Sequence, residues 1–230
     1  MGSPLPAYWR PPVKYAVLMD GGFIRRKLGS QSRPMTALDV SRFLDRLKAH
    51  TALANLVLHR IYWYDAQPLE SSARRPLRGG RVDFSSTRQA LNSKVLLRDL
   101  CALPNVSIRR GELVFRGWRV RHGRLSEREQ TVTLVAADLE PNVQQKGVDM
   151  RIGLDIASLT LKRHVDIVVL VSGDSDFVPA MKFARREGAQ LFLVTFGHGV
   201  RPEMLEHSDL VLDMPAEPTR QPREQVSHAA

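Results

Sequence analysis

VDIVVLVSGDSDF, residues 165–177, decides the fold of this chain. Its first seven residues are rich in Val and Ile, and only Asp166 among them is polar. Such a run reads as a strand buried on both faces of a parallel sheet. It breaks into Ser-Gly-Asp-Ser-Asp and passes directly into the helical pattern FVPAMKFARREG. Asp174 and Asp176 therefore stand at the carboxyl end of a core strand, in the turn that opens a helix. In open α/β sheets ligands bind at that edge. Asp and Ser are also ordinary helix N-caps, so each carboxylate taken alone also reads as a cap.

Upstream, residues 13–19 (VKYAVLM) predict a first strand stopped by Asp20-Gly21-Gly22. A short helical piece ends at Gly29, and 30–37 reads as a loop. Residues 38–49 carry Leu38, Val40, Phe43, Leu44 and Leu47 on one face of an amphipathic helix. Residues 55–64 read as a second strand, 66–83 as a mobile loop, and 83–103 as a helix through Leu91, Val95, Leu96 and Leu100. The alternation over 106–120 predicts a half-exposed strand or hairpin. After the basic turn RHGRLSERE, residues 131–137 predict another strand. Downstream come a helix over 147–161, the strand already quoted, a helix to Glu187 and a strand over 190–196. A short helix over 201–207 and a last strand over 209–214 follow. The succession predicts one α/β domain over 13–214 with a mostly parallel sheet. A flexible arm over 1–12 and a disordered tail over 215–230 are expected to flank it.

Charge narrows the partner. The 230 residues carry a formal net charge of +10 and a pI near 10.3. This favours nucleic acid as partner, ahead of membrane, because no basic amphipathic anchor stands out. Cys101 is the only cysteine, which excludes an internal disulfide and a cysteine-based zinc site. No run approaches a membrane span and no apolar signal core opens the chain, so a soluble, cytoplasmic protein is expected. The seven histidines are scattered, and none pairs at metal-ligand spacing.

Two further acids join the pair. Asp20 ends the first strand, and Asp149, in KGVDM, opens the helix before the central strand. If the strands over 13–19 and 165–171 are neighbours, Asp20, Asp149, Asp174 and Asp176 meet at one sheet edge. Such crowding is tolerable only if protons or a cation offset it. Hard cations with oxygen ligands, Mg²⁺ or Mn²⁺, are the natural partners. A carboxylate-held metal that lowers the pKa of a bound water would permit in-line attack on a phosphodiester. Asp155, beside the buried face of its helix, is either a further site acid or an ion-pair partner. Two basic clusters, Arg74, Arg75, Arg78 and Arg81, then Arg109, Arg110, Arg116, Arg119, Arg121 and Arg124, are candidate nucleic-acid contacts. Phe115 and Trp118 between them either stack on unpaired bases or belong to the core. Lys146 stands close enough before Asp149 to contact a phosphate or to balance the acids. The FGHGV turn lacks the full pattern of a phosphate loop.

MDGGF after an apolar strand, QKGVDM leading a helix, LVSGDSDFVPAMKFARREG and the ending LEHSDLVLDM resemble the NYN domains, the branch of the PIN-like nucleases that includes the bacterial DUF88 proteins. The resemblance spans roughly residues 13–214 and is thin over 66–137. It implies a PIN-like Rossmannoid fold, a three-layer α/β/α sandwich around a mostly parallel sheet. It also implies a metal-dependent ribonuclease site on Asp20, Asp149, Asp174 and Asp176. Many NYN sequences carry Asn three residues after the first aspartate, where this chain has Phe23.

The function expected is hydrolysis of RNA, single-stranded in preference. One rival is a non-catalytic RNA-binding adaptor with the same basic surface. Another is a phosphohydrolase of the haloacid dehalogenase kind, which usually places a second acid two residues after the first; Gly22 stands there. The exposed face over 106–120 is compatible with a homodimer or a protein partner.

Overall fold

The computed structural model describes residues 11–30, 32–125 and 130–216. The arm expected over 1–12 and the tail expected over 215–230 lie outside the described residues, except for 11–12 and 215–216. In chain order the elements are β1 (Lys14–Asp20), α1 (Gly21–Leu28), α2 (Ala37–Ala49), β2 (Val57–Ala66), β3 (Ser72–Arg74), β4 (Arg81–Asp83), α3 (Arg88–Cys101) and β5 (Val106–Val120). There follow β6 (Leu139–Lys146), α4 (Val148–Leu161), β7 (Ile167–Val171), α5 (Val178–Arg186), β8 (Gln190–Val194), α6 (Pro202–Glu206) and β9 (Leu210–Val211).

Seven strands form one sheet in the order β6–β5–β2–β1–β7–β8–β9. Every pairing is parallel except β5 with β6. The chain builds outward from β1 through β2 to β5, and later resumes on the other side of β1 with β7 and β8. The order therefore reverses between β1 and β7, which is where an open sheet leaves a crevice at its carboxyl edge.

Strand β1 shows how the layers arise. Tyr15, Val17 and Met19 pack with Phe23, Val40, Phe43, Leu47, Leu96 and Leu100 on one side. Ala16 and Leu18 pack with Ile152, Ile156, Met181 and Ala184 on the other. Alternation along one strand thus feeds two cores, with α1, α2 and α3 over one face and α4 and α5 over the other. This is the PIN-like α/β/α sandwich.

Four expectations need correction. The strand expected over 131–137 is displaced to β6, 139–146. Residues 136–138 form a single 3₁₀ turn instead, closed when the Asp138 carboxylate accepts from the Val135 N–H at 2.9 Å. The loop expected over 66–83 contains the β3–β4 hairpin. The helix expected from Asp83 starts at Arg88, because Asp83 caps the turn Phe84–Ser86 and Thr87 caps α3. Leu91 and Val95 face solvent, as does Leu38 on α2, whereas Ala90 and Leu97 are buried.

Candidate active site

Asp20, at the carboxyl end of β1, is 9% exposed. Its Oδ1 accepts from the Phe23 N–H at 3.1 Å, so it caps α1, and its Oδ2 accepts from the Ser172 hydroxyl at 3.0 Å. Ser172 is wholly buried, and its Oγ also accepts from the Asp174 N–H at 3.2 Å. Asp174 in turn accepts from the Asp176 N–H at 3.0 Å. The Ser-Gly-Asp-Ser-Asp turn is therefore laced to the neighbouring strand through one hydroxyl. Asp174 caps the turn locally, yet the side chains of both Asp174 and Asp176 remain exposed. Gly147, at φ 75°, makes the left-handed turn from β6 into α4 that puts Asp149 in the helix's first turn.

The electrostatics tie the four acids together. Burial raises the proton affinity of Asp20, and Asp174 adds to it; the Phe23 N–H, Ser172 and Arg26 act the other way. Partial desolvation also raises Asp149, followed by the charges of Asp174, Asp20 and Asp176. All four sequence-predicted acids thus share one field at the β1–β7 edge. Among the described residues, no three Asp, Glu, His or Cys side chains are spaced to hold a metal ion.

Beside the acids opens a cavity of about 480 Å³ lined by Asp20, Phe23, Arg26, Lys27, Asp174, His198 and Arg201, among others. Gly173 forms part of its wall: a Cβ there would lie 2.8 Å from the Phe23 ring and 3.1 Å from His198. The cations of this wall were not singled out in the sequence. Their signal was topological, since the GHGV turn follows β8, which pairs with β7 and so ends at the same edge. Asp65, buried at the end of β2, was also missed; it accepts from Arg25 and from the Trp63 indole.

The other candidates lie elsewhere. Asp155 accepts from the Tyr64 hydroxyl at 2.8 Å and from Arg109 Nε at 2.9 Å, and Arg109 also stacks 4.9 Å from the Tyr62 ring centroid. It is the ion-pair partner and stands outside the group of four. Arg119 pairs with Glu140, and Arg124 with Asp138. Arg81 donates to Ser72, and Arg75 stacks 5.1 Å from the Trp118 ring centroid. Arg74, Arg75 and Arg78 line a second cavity, of about 570 Å³, at the hairpin tip. Phe115 and Trp118 pack on each other and on buried Phe84. Arg110, Arg121 and Lys146 are exposed.

The NYN domain profile matches residues 14–211. The chain belongs to the NYN-domain family. NYN domains are part of the PIN-like nuclease superfamily, and their known roles centre on nucleic acid. No curated protein matches the chain. Among solved structures, it is similar to a protein of unknown function from Vibrio parahaemolyticus, with 12% identity and a TM-score of 0.45, over 87% of this chain and 92% of that one. In this NYN domain the four acids come from β1, the first turn of α4 and the turn after β7, so one sheet edge collects residues 20 to 176. Among the described residues, no helix is long and apolar enough to cross a membrane.

Proposed function

We propose that this NYN domain is a divalent-metal-dependent endoribonuclease acting on single-stranded RNA in the cytoplasm. The observation that carries the reading is the convergence of four carboxylates at the β1–β7 edge, where burial and then the charges of Asp174, Asp20 and Asp176 raise the proton affinity of Asp149. Oxygen donors crowded in this way suit a hard cation, Mg²⁺ or Mn²⁺. Asp20 and Asp174 would hold it, with Asp149 and Asp176 completing the set. When bound, such an ion polarises a phosphodiester and lowers the pKa of a coordinated water.

The chain's own groups prepare the rest. Ser172 fixes the rotamer of Asp20 while leaving the turn acids exposed. Lys146 and Arg110, exposed near the β5–β6 pairing, supply charge for backbone phosphates, as do Arg74, Arg78 and Arg121. Arg109 and Arg119 contribute less, because Asp155 and Glu140 already occupy them.

A second reading, a non-catalytic RNA-binding adaptor, has one observation in its favour. Both Asp20 oxygens already accept hydrogen bonds, and no three acids reach metal-ligand spacing among the described residues. The deciding experiment incubates labelled single-stranded RNA with Mn²⁺, Mg²⁺ or EDTA, using the native protein and Asp174→Asn. Metal-dependent cleavage that disappears in the variant is expected. Salt-sensitive binding with no cleavage in any metal would establish the adaptor instead.

A further inference from the structure

Arg26 and Arg201 reach the same cavity from opposite ends of the chain. Arg26 belongs to α1, immediately after Asp20, and Arg201 precedes α6 after the turn that leaves β8. Both are exposed, and neither forms a salt bridge among the described residues. That is unusual company, because Arg25 beside one of them is spent on buried Asp65 and Arg185 on Asp209. The acids of the cavity feel the charge of Arg26 but form no salt bridge with either arginine among the described residues. Arg26 Nη1 and Asp20 Oδ1 flank the same side of Gly22 without reaching salt-bridge distance, and Asp20 is already bonded to Phe23 and Ser172.

The wall between the two arginines is organised by Phe23. Its ring is 4% exposed, which closes the floor to a stacking base. It lies 6.1 Å from the His198 ring and 5.6 Å below the Lys27 ammonium, and Gly173 lets the acid-bearing turn press against it. An aromatic at the position where many relatives carry Asn therefore supports a row of cations. A volume of about 480 Å³ falls in the ordinary range for a ligand pocket. Guanidinium groups match the oxygens of phosphate in geometry and charge.

We propose that this cavity is a phosphate subsite, in which Arg26 and Arg201, with Lys27 and His198, hold a backbone phosphate of single-stranded RNA next to the one presented to the acids. The inference rests on the nucleic-acid reading above and does not require turnover. Basic groups on the β5–β6 side and this wall on the β8 side would then grip the strand on both flanks of the β1–β7 edge.

The test is the salt dependence of RNA binding in EDTA, where no cleavage intervenes. Labelled single-stranded RNA is titrated with the native protein, with Arg26→Ala/Arg201→Ala, and with Arg42→Ala/Lys48→Ala as a charge-matched control on α2. Loss of one phosphate contact should flatten the slope of log K against log salt by about 0.7 in the first variant. The control should keep the native slope. Equal slopes for the two double variants would overturn the subsite, and so would absence of RNA binding by the native protein. Native protein that binds RNA with the expected slopes but cuts none in Mn²⁺ or Mg²⁺ would overturn the nuclease reading and leave the subsite standing.

Discussion

Asp149 and Asp155 lie on the same helix, and the chain treats them in opposite ways. Asp155 turns toward β2 and β5, where the Tyr64 hydroxyl and the Arg109 guanidinium meet it. Asp149 turns toward the β1–β7 edge, where the charges it feels most are three other aspartates. Matched charge on the β2–β5 side stabilises the fold. Unmatched charge at the edge costs stability and persists because something other than stability needs it. The same contrast divides the arginines: Arg109, Arg119 and Arg124 are committed to carboxylates, whereas Arg26 and Arg201 are not.

Activity should separate the two regions most sharply. Asp174→Asn is expected to lower kcat/KM for RNA by at least about 10³-fold, the scale on which metal ligation contributes several kcal/mol. Asp155→Asn should stay within about 10-fold of native, since it perturbs only packing next to the site. Comparable losses in both would erase the distinction and make Asp155 a site acid after all.

Stability probes the two regions next. Asp155→Ala leaves the buried Tyr64 hydroxyl without its acceptor and Arg109 without its partner, which should cost about 1–3 kcal/mol. For a domain of this size that lowers Tm by about 3–10 °C in thermal unfolding. Gly173→Ala should cost about 1–2 kcal/mol, because the added Cβ must displace the Phe23 ring. Phe23→Leu in the same chain should recover part of that loss, which a double-mutant cycle measures directly.

Much of the edge was legible before any coordinates. The strand within 165–171 and the strand ending at Asp20 are both read by nearly unbroken apolar runs; that they are neighbours was only a condition in the sequence, and the parallel pairing of β1 with β7 meets it. The turn acids were legible because strand, acid and helix adjoin in sequence. What escaped detection depended on partners distant in the chain. Asp155 could not be told from a site acid until β2 and β5 brought Tyr64 and Arg109 against it, residues 91 and 46 positions away. Arg26 and Arg201 were not singled out, because the cavity that joins them exists only once β8 is placed beside β7. The helix 88–101 was found but rotated, since Leu91 and Val95 have apolar side chains that its real packing face, centred on Leu97 and Leu100, does not use. β6 was missed because its alternation is weak and its register comes from β5.

The smallest expected effect tests the comparison most directly. Asp20 and Asp149 both bind a proton more tightly in the folded chain than in the unfolded one. Their contribution to stability is therefore complete below the ordinary carboxyl value of about 3.9 and is lost as pH rises through their higher folded values. Asp149→Asn removes the ionisation without removing much volume. At pH 7 and without divalent metal it should raise Tm by about 1–3 °C, and below about pH 4 the variant and the native chain should melt together. Mn²⁺ should reverse the order at pH 7, because an ion bound only by the folded native protein stabilises it by mass action. A lower Tm for Asp149→Asn at pH 7 in EDTA would mean that a cationic partner satisfies Asp149 as Arg109 satisfies Asp155, and the edge would then be matched charge like the rest of the molecule.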